Sequence, residues 1–497
     1  MSRAAPAGAA AGVVGRVRRA VRPSSSAGRV LLALIVLGVA LRLLVIVSWW
    51  PVTPTLEDGY QRFASNPFLD SQHPAGYGLI VAGLGSLTRQ IAFTVLLQHV
   101  AGVISALLLG SATRRVTGSL WAGLLPAGIV LLDPDGIFLE HSIMSESWMI
   151  LALSAGLYAA VRACEAPDRW WPWPLVSGSA LAAAVMIRSA ALPVIAVAAV
   201  AMLVYQPRSQ PWRRHCRGAA VSVGTAAILL LAFAGANAAF GQRFGIEPSP
   251  GWYLYGRVAQ FADCRDFTPP PGTRSLCQTV APARRPSSYD YMFVAQSPAV
   301  RLFGSFGADD GAIGAWARRA ALAQPGAFLS TAWAYLRSYW IPAWLPARLR
   351  SSTHGLDPQL DFSYPNVFYV AAIKRDLESY YDRFDVHPLG WGLRLLHDWQ
   401  RVIRFGATAL FITTILTLIG LAVGPRRSRV GVLLFGLGGL SLIVAPALTG
   451  TYSGRYTVPM AGPLTAAAAI SLKALWDLAR ARAQAPALSA ATPGPMD

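Results

Sequence analysis

The sequence predicts an all-α polytopic membrane protein, a bundle of about ten to twelve transmembrane helices with interfacial helices and a moderate extramembrane segment. Three observations predict it. Of the 497 residues 54% are hydrophobic and only 13% charged, with a mean hydropathy of +0.43, so the apolar fraction exceeds and the charged fraction falls short of a soluble globular average. Apolar runs long enough, or nearly so, to cross about 30 Å of hydrocarbon recur along the whole chain. The arginines gather in short clusters between those runs, as in loops that flank membrane spans.

Taken in order, the runs lie near 30–49, 90–110, 117–132, 147–161, 174–187, 190–205, 219–239, 406–423, 430–448 and 457–476. Residues 1–29 hold six arginines and no acid. The run that follows is too long for the apolar core of a signal peptide and no Ala-x-Ala site follows it, so it reads as a retained first span. With Arg16, Arg18, Arg19 and Arg22 inside, the next short links on that side contain Arg114 and Arg115, then Arg162 and Arg169, then Arg208, Arg213, Arg214 and Arg217, then Arg426, Arg427 and Arg429. Each obeys the positive-inside rule, and both termini are expected in the cytoplasm. The Ala/Pro/Gly-rich ends, 4–12 and 483–495, are expected to be disordered.

The acids complement this map. Loops 51–89 and 133–146 hold Glu57, Asp58, Asp70, Asp133, Asp135, Glu140 and Glu146, while the proposed spans hold none. Acids are thus concentrated on one outer surface. The chain divides into a basic cytoplasmic tail (1–29), an N-terminal transmembrane module with two outer loops (30–240), an outer segment (241–403), a C-terminal transmembrane module (404–478) and a cytoplasmic tail (479–497). Within the outer segment, 326–345 is apolar, yet Arg337 interrupts it and one more crossing would invert everything after it, so it reads as an amphipathic helix on the membrane. The stretch after Pro74, as far as Leu87, is too short to span and reads as interfacial or re-entrant.

A net charge of +19 does not point to nucleic acid, because the arginines lie between apolar runs rather than on a soluble module with stacking aromatics. Four cysteines exclude a disulfide-built scaffold and form no Cys-x-x-Cys pair. No Gly-rich phosphate loop is present, so no nucleotide is implied.

Several residues carry possible chemistry. Glu57 and Asp58 follow the first span; a carboxylate beside an apolar surface has a raised pKa suited to a general base, and the same pair also reads as solvated turn acids near the headgroups. His73, before Pro74, reads as a turn residue or a catalyst. In the second loop Ser145 is a natural helix cap and Glu146 suits a first helical turn through the macrodipole. Glu140 and His141 beside them can help hold a divalent ion or orient a sugar, although no ligand spacing is diagnostic. Arg188, at the end of the fifth run, and Arg455, before the last, suit a phosphate through their planar forks, with snorkelling as the alternative. Arg42, inside the first run, has no reading from sequence.

Together these residues resemble the polytopic glycosyltransferases of the C superfamily, in the branch of the protein O-mannosyltransferases and the lipid A aminoarabinose transferase. The likeness covers about residues 30–205, with a return near 450–460. It rests on the first-loop acids with Tyr60, on His73-Pro74 with Tyr77, on Ser145-Glu146, and on Arg455-Tyr456. A large outer segment between the seventh and eighth runs also fits. The resemblance implies an inverting transfer of a sugar from a polyprenyl-phosphate donor to an acceptor hydroxyl at the outer face, with Asp58 as base and Glu57 competing for that role. Tyr60, His73, Tyr77, Glu140, His141, Glu146, Arg188, Arg455 and Tyr456 are then the candidate substrate-binding residues. No cofactor is required and a divalent cation is an optional addition. The acceptor is an envelope glycan, lipid or exported protein. Ala75, where many relatives have a second proline, is a departure that bears on His73. The alternatives are a transporter or flippase of a lipid-linked substrate, or a non-catalytic scaffold of envelope assembly; acids in outer loops rather than mid-membrane favour the enzyme.

The charge map also sorts the cysteines. Cys164 and Cys216 fall in cytoplasmic links, Cys264 and Cys277 in the outer segment around the turn-rich 269–272, so the outer pair is expected to form a disulfide.

Overall fold

The computed structural model describes residues 25–49, 59–165, 171–205, 212–240, 243–344, 346, 367–385, 389–450 and 453–489. Glu57 and Asp58, most of the basic tail with Arg16 to Arg22, Arg169, Arg208 and the extreme C-terminus lie outside them. The described residues are helical, without a strand.

The first half of the bundle comprises α1 (Ser26–Ser48), α2 (Ala75–Gly85), α3 (Ile91–Thr117), α4 (Leu120–Leu132), α5 (Pro134–His141), α6 (Glu146–Glu165), α7 (Pro172–Ile187), α8 (Leu192–Val204) and α9 (Trp212–Ala239). Next in the chain come α10 (Pro250–Ala259), α11 (Ser288–Phe293), α12 (Pro298–Phe303), α13 (Asp310–Ala323), α14 (Pro325–Ser338) and α15 (Val367–Leu377). After α16 (Gly390–Val402) and α17 (Ala407–Val423) come α18 (Arg426–Thr449), which contains a π turn over Leu433–Leu437, and α19 (Val458–Ser489).

All ten apolar runs are helical, but among the described residues seven helices are long and apolar enough to cross a membrane, or eight if a bent pair counts as one span. The bent pair is α4 and α5, which meet at 49°. Asp133 makes the corner. It precedes Pro134, so its backbone is extended rather than helical, and its Oδ2 accepts from Gly136 N to cap α5. At 16 residues α7 is about 24 Å long, short of a full hydrocarbon crossing. It stops at Arg188, whose backbone is extended. The difference from ten full spans therefore arises where short helices end on polar residues. At the C-terminus α19 continues to Ser489, past residue 478 and into the stretch expected to be disordered, in keeping with its Ala-rich composition.

One core joins α3, α6, α7, α8, α18 and α19, and includes Tyr60, Tyr77, Leu153, Leu181, Phe435 and Leu464. A second, between α9 and α16, is built on Trp252, Tyr255, Tyr291 and Trp316 and adjoins the Cys264–Cys277 disulfide. Cys164 and Cys216 are free thiols. α14 buries Ala332 and Tyr335 while leaving Leu329 and Trp333 exposed. At one end of the bundle Arg115 and Arg427 meet Glu165. The candidate residues converge at the other.

Candidate active site

The cluster begins at Tyr60, which opens a short 3-10 turn over Tyr60–Phe63. Its ring is buried against His73, at 4.3 Å between centroids, and edge-on to Tyr77 at 4.7 Å. Its hydroxyl donates to Ser145 Oγ at 3.1 Å. Tyr60 thus links the loop after α1 to the one before α6. Asp70 organises the turn before Pro74: Oδ1 accepts from the backbone N of Gln72 and His73, and Oδ2 lies 3.0 Å from His73 Nδ1. Such a carboxylate fixes the orientation of the imidazole. Asp376, at the end of α15, accepts from Gln61 Nε2 and Arg62 Nε and pins the turn from above.

Tyr77 sits on α2, which approaches α7 so closely that a Cβ on Gly76 would strike the Met186 carbonyl. The Tyr77 hydroxyl donates to Gln98 Oε1 at 2.7 Å, and Gln98 Nε2 donates to the carbonyls of Glu140 and Ser142. Tyr77 therefore supports the second loop from beneath.

Ser145 and Glu146 open α6, and there the two candidate arginines meet. Arg188 Nη1 donates to Glu146 Oε1 at 2.6 Å and to Ser145 Oγ at 3.1 Å, while Arg455 Nε lies 3.8 Å from the same Glu146 oxygen. Both guanidinium groups flank the Tyr456 ring, at 5.3 and 5.7 Å from its centroid. The Glu146 side chain is 1% exposed and that of Arg188 15%. Glu146 Oε2 is buried with no hydrogen-bond partner among the described residues. Two cations, one at the end of α7 and one in the turn before α19, are thus brought to one carboxylate.

Glu140 and His141 are engaged elsewhere. They face Arg42, which donates to both Glu140 oxygens at 2.7 Å and to the carbonyls of Gly38, Leu131 and Val130. His99 Nδ1 lies 2.9 Å from Glu140 Oε2, and its Nε2 is 3.2 Å from His141 Nδ1. Gly102 gives this carboxylate its room, since a Cβ there would collide with it. The network is buried under the cluster and accounts for Arg42.

Glu247, which the sequence reading did not single out, joins the cluster from the 243–249 loop. Its Oε1 accepts from the hydroxyl of Ser189, the residue after Arg188, and its Oε2 is buried without a hydrogen-bond partner among the described residues. Burial raises its pKa, opposed by the Ser189 hydrogen bond and the nearby His73 and Arg188. Tyr253 beside it donates to the Gln72 carbonyl at 2.6 Å. A loop glutamate with no spacing to a partner gives no sequence signal. Among the described residues, no group of three or more His, Cys, Asp or Glu is placed to hold a metal ion.

Residues 88–238 match the family described as Dolichyl-phosphate-mannose-protein mannosyltransferase. No curated protein sequence gives a significant match. Among solved structures the chain is similar to the apo oligosaccharyltransferase of Archaeoglobus fulgidus, at 15% identity and a TM-score of 0.41 over 93% of this chain and 52% of that one. It is also similar to ArnT from Cupriavidus metallidurans bound to undecaprenyl phosphate, at 14% identity and a TM-score of 0.33 over 95% and 82%. The chain spans about half the length of the archaeal enzyme. The family match, whose range includes Glu140, His141, Glu146 and Arg188, bears out over that stretch the resemblance to the protein mannosyltransferases read from the sequence.

Proposed function

We propose that the protein is an integral-membrane glycosyltransferase that passes a sugar from a polyprenyl-phosphate donor to an acceptor hydroxyl on the outer face of the membrane, with inversion. The observation that carries this reading is the pairing of Arg188 and Arg455 on the single buried carboxylate of Glu146, beside the Tyr60 and His73 loop. Two guanidinium groups against one carboxylate leave one net positive charge, which suits the single charge of a phosphodiester. In the proposed reaction the acceptor oxygen attacks the anomeric carbon from the face opposite the phosphate and gives its proton to Asp58, or to Glu57 in its place. The bond from the anomeric carbon to the phosphate oxygen breaks, and the growing charge on the leaving phosphate is taken up by Arg188 and Arg455 in a site of low dielectric. Glu146 holds the two arginines in place before the lipid arrives. On this reading both termini are cytoplasmic, and the 241–403 segment with the cluster is outside.

The test is a transfer assay with purified protein and polyprenyl-phosphate sugars, preceded by mass analysis of envelope glycans, lipids and exported proteins from cells with and without the protein. A sugar missing from one class names donor and acceptor together. Asp58→Asn or Glu57→Gln should then abolish transfer in a folded protein, and full activity in both variants overturns the mechanism.

A further inference from the structure

The grip on phosphate leaves the rest of the donor unread, and Glu247 stands where a reader of it would. The loop that carries it is tied down on three sides. Asn237 Nδ2 donates to the Gly245 carbonyl, Ser249 Oγ donates to the Ser71 carbonyl at 2.8 Å, and Tyr253 Oη donates to that of Gln72. Glu247 is therefore fixed against the loop that presents His73, and its anchor Ser189 follows Arg188 directly in the chain.

The carboxylate is only half used. Ser189 occupies Oε1, and Oε2 is buried with no donor among the described residues. The nearby guanidinium of Arg188 donates through Nη1 to Ser145 and Glu146 rather than to Glu247. An acceptor without a donor in a protein interior is costly, and a ligand that brings donors offsets that cost. Phosphate brings none and is repelled by a carboxylate. Sugar hydroxyls are donors.

We infer that Glu247 recognises the donor sugar: its open carboxylate oxygen accepts hydrogen bonds from the sugar hydroxyls, so that the site prefers the sugar-bearing lipid to bare polyprenyl phosphate. This rests on the donor reading given above. The arginine pair sets affinity for the phosphate common to both lipids, and Glu247 sets the difference between them.

The experiment measures binding of two kinds of probe to the full chain in lipid nanodiscs. One is undecaprenyl phosphate; the other is the same lipid phosphate carrying mannose, glucose, galactose or arabinose. The wild type should bind at least one sugar-bearing lipid about tenfold or more tightly than the bare lipid, as expected of hydrogen bonds to a charged acceptor. Glu247→Ala should erase that preference and leave affinity for the bare lipid within about twofold, because the phosphate grip is intact. Glu247→Gln, nearly the same shape, should also lose most of the preference, which separates recognition from collapse of the loop. Arg188→Ala should weaken both lipids alike. A preference that survives in both Glu247 variants, or a wild type that binds every lipid equally, overturns the inference and leaves the donor reading standing. A wild type that binds none of these lipids overturns the donor reading itself.

Discussion

The guanidinium groups of Arg42 and Arg188 each meet a glutamate at hydrogen-bond distance, 2.7 and 2.6 Å, and the two pairs are finished differently. Glu140 spends both oxygens on Arg42, one of them shared with His99, while Arg42 fills its remaining donors with three backbone carbonyls. Glu146 spends one oxygen on both of its arginines, and its other oxygen is buried with no hydrogen-bond partner among the described residues, as is one oxygen of Glu247. A buried polar network that serves the fold alone is closed, because every open group in it costs stability. One that serves a ligand keeps groups in reserve. The distinction lies in what each atom lacks, and sequence does not record that.

The largest expected effect is on the open side. Asp58→Asn should lower kcat by about 10²–10⁴-fold, the usual worth of a general base, while the thermal unfolding midpoint stays put. Loss of folding in this variant would blur the line between the two clusters. Next comes the closed network. Arg42→Ala should cost about 3–5 kcal/mol of stability, because it strands a buried carboxylate. Replacing the pair together, Arg42→Met with Glu140→Leu, should recover much of that, and thermal unfolding in detergent reads both. If Arg42→Ala instead left stability unchanged and removed activity, the network would belong to the site. A smaller effect follows at the phosphate grip. Arg188→Ala and Arg455→Ala should each lower kcat/KM for the lipid donor by about 1.5–3 kcal/mol in transition-state terms, with partial rescue by lysine. Unchanged donor kinetics in both would return these residues to snorkelling.

Much of the bundle was legible because apolar runs and arginine clusters are local signals. All ten runs are helical, and the arginines of three separate links, Arg115 and Arg162 with Arg427, gather near Glu165, Tyr158 and one another at one end. The corner at Asp133 was less legible: the run near 117–132 ends with α4, but the stretch 133–146, read as a loop, opens with a second helix, α5. Arg42 and Glu140 are 98 residues apart, so neither announces its partner. Glu140 and His141 looked like site residues from their place in an outer loop, but α5 turns them toward Arg42 and His99. Glu247 went unread for the opposite reason: nothing beside it in sequence marks it, and its meaning comes from Ser189 and an oxygen left without a donor.

The smallest effect isolates depth as the variable. Arg427 lies 2.9 Å from Glu165, close to the distance of the Arg42 pair, yet its side chain is 55% exposed where that of Arg42 is 3% exposed. In contact with water the two charges lose little hydration on pairing, and they gain little from it, because solvent and salt screen the attraction. Arg427→Ala should therefore change stability by about 0.5 kcal/mol or less, a value that shrinks further as salt is raised. The residue also donates to the Arg115 carbonyl, an exposed group that water can satisfy once the side chain is gone. Thermal unfolding at low and high ionic strength measures this directly. A cost matching that of Arg42→Ala would mean that ion-pair distance, rather than closure of a dry network, separates the charged clusters of this protein.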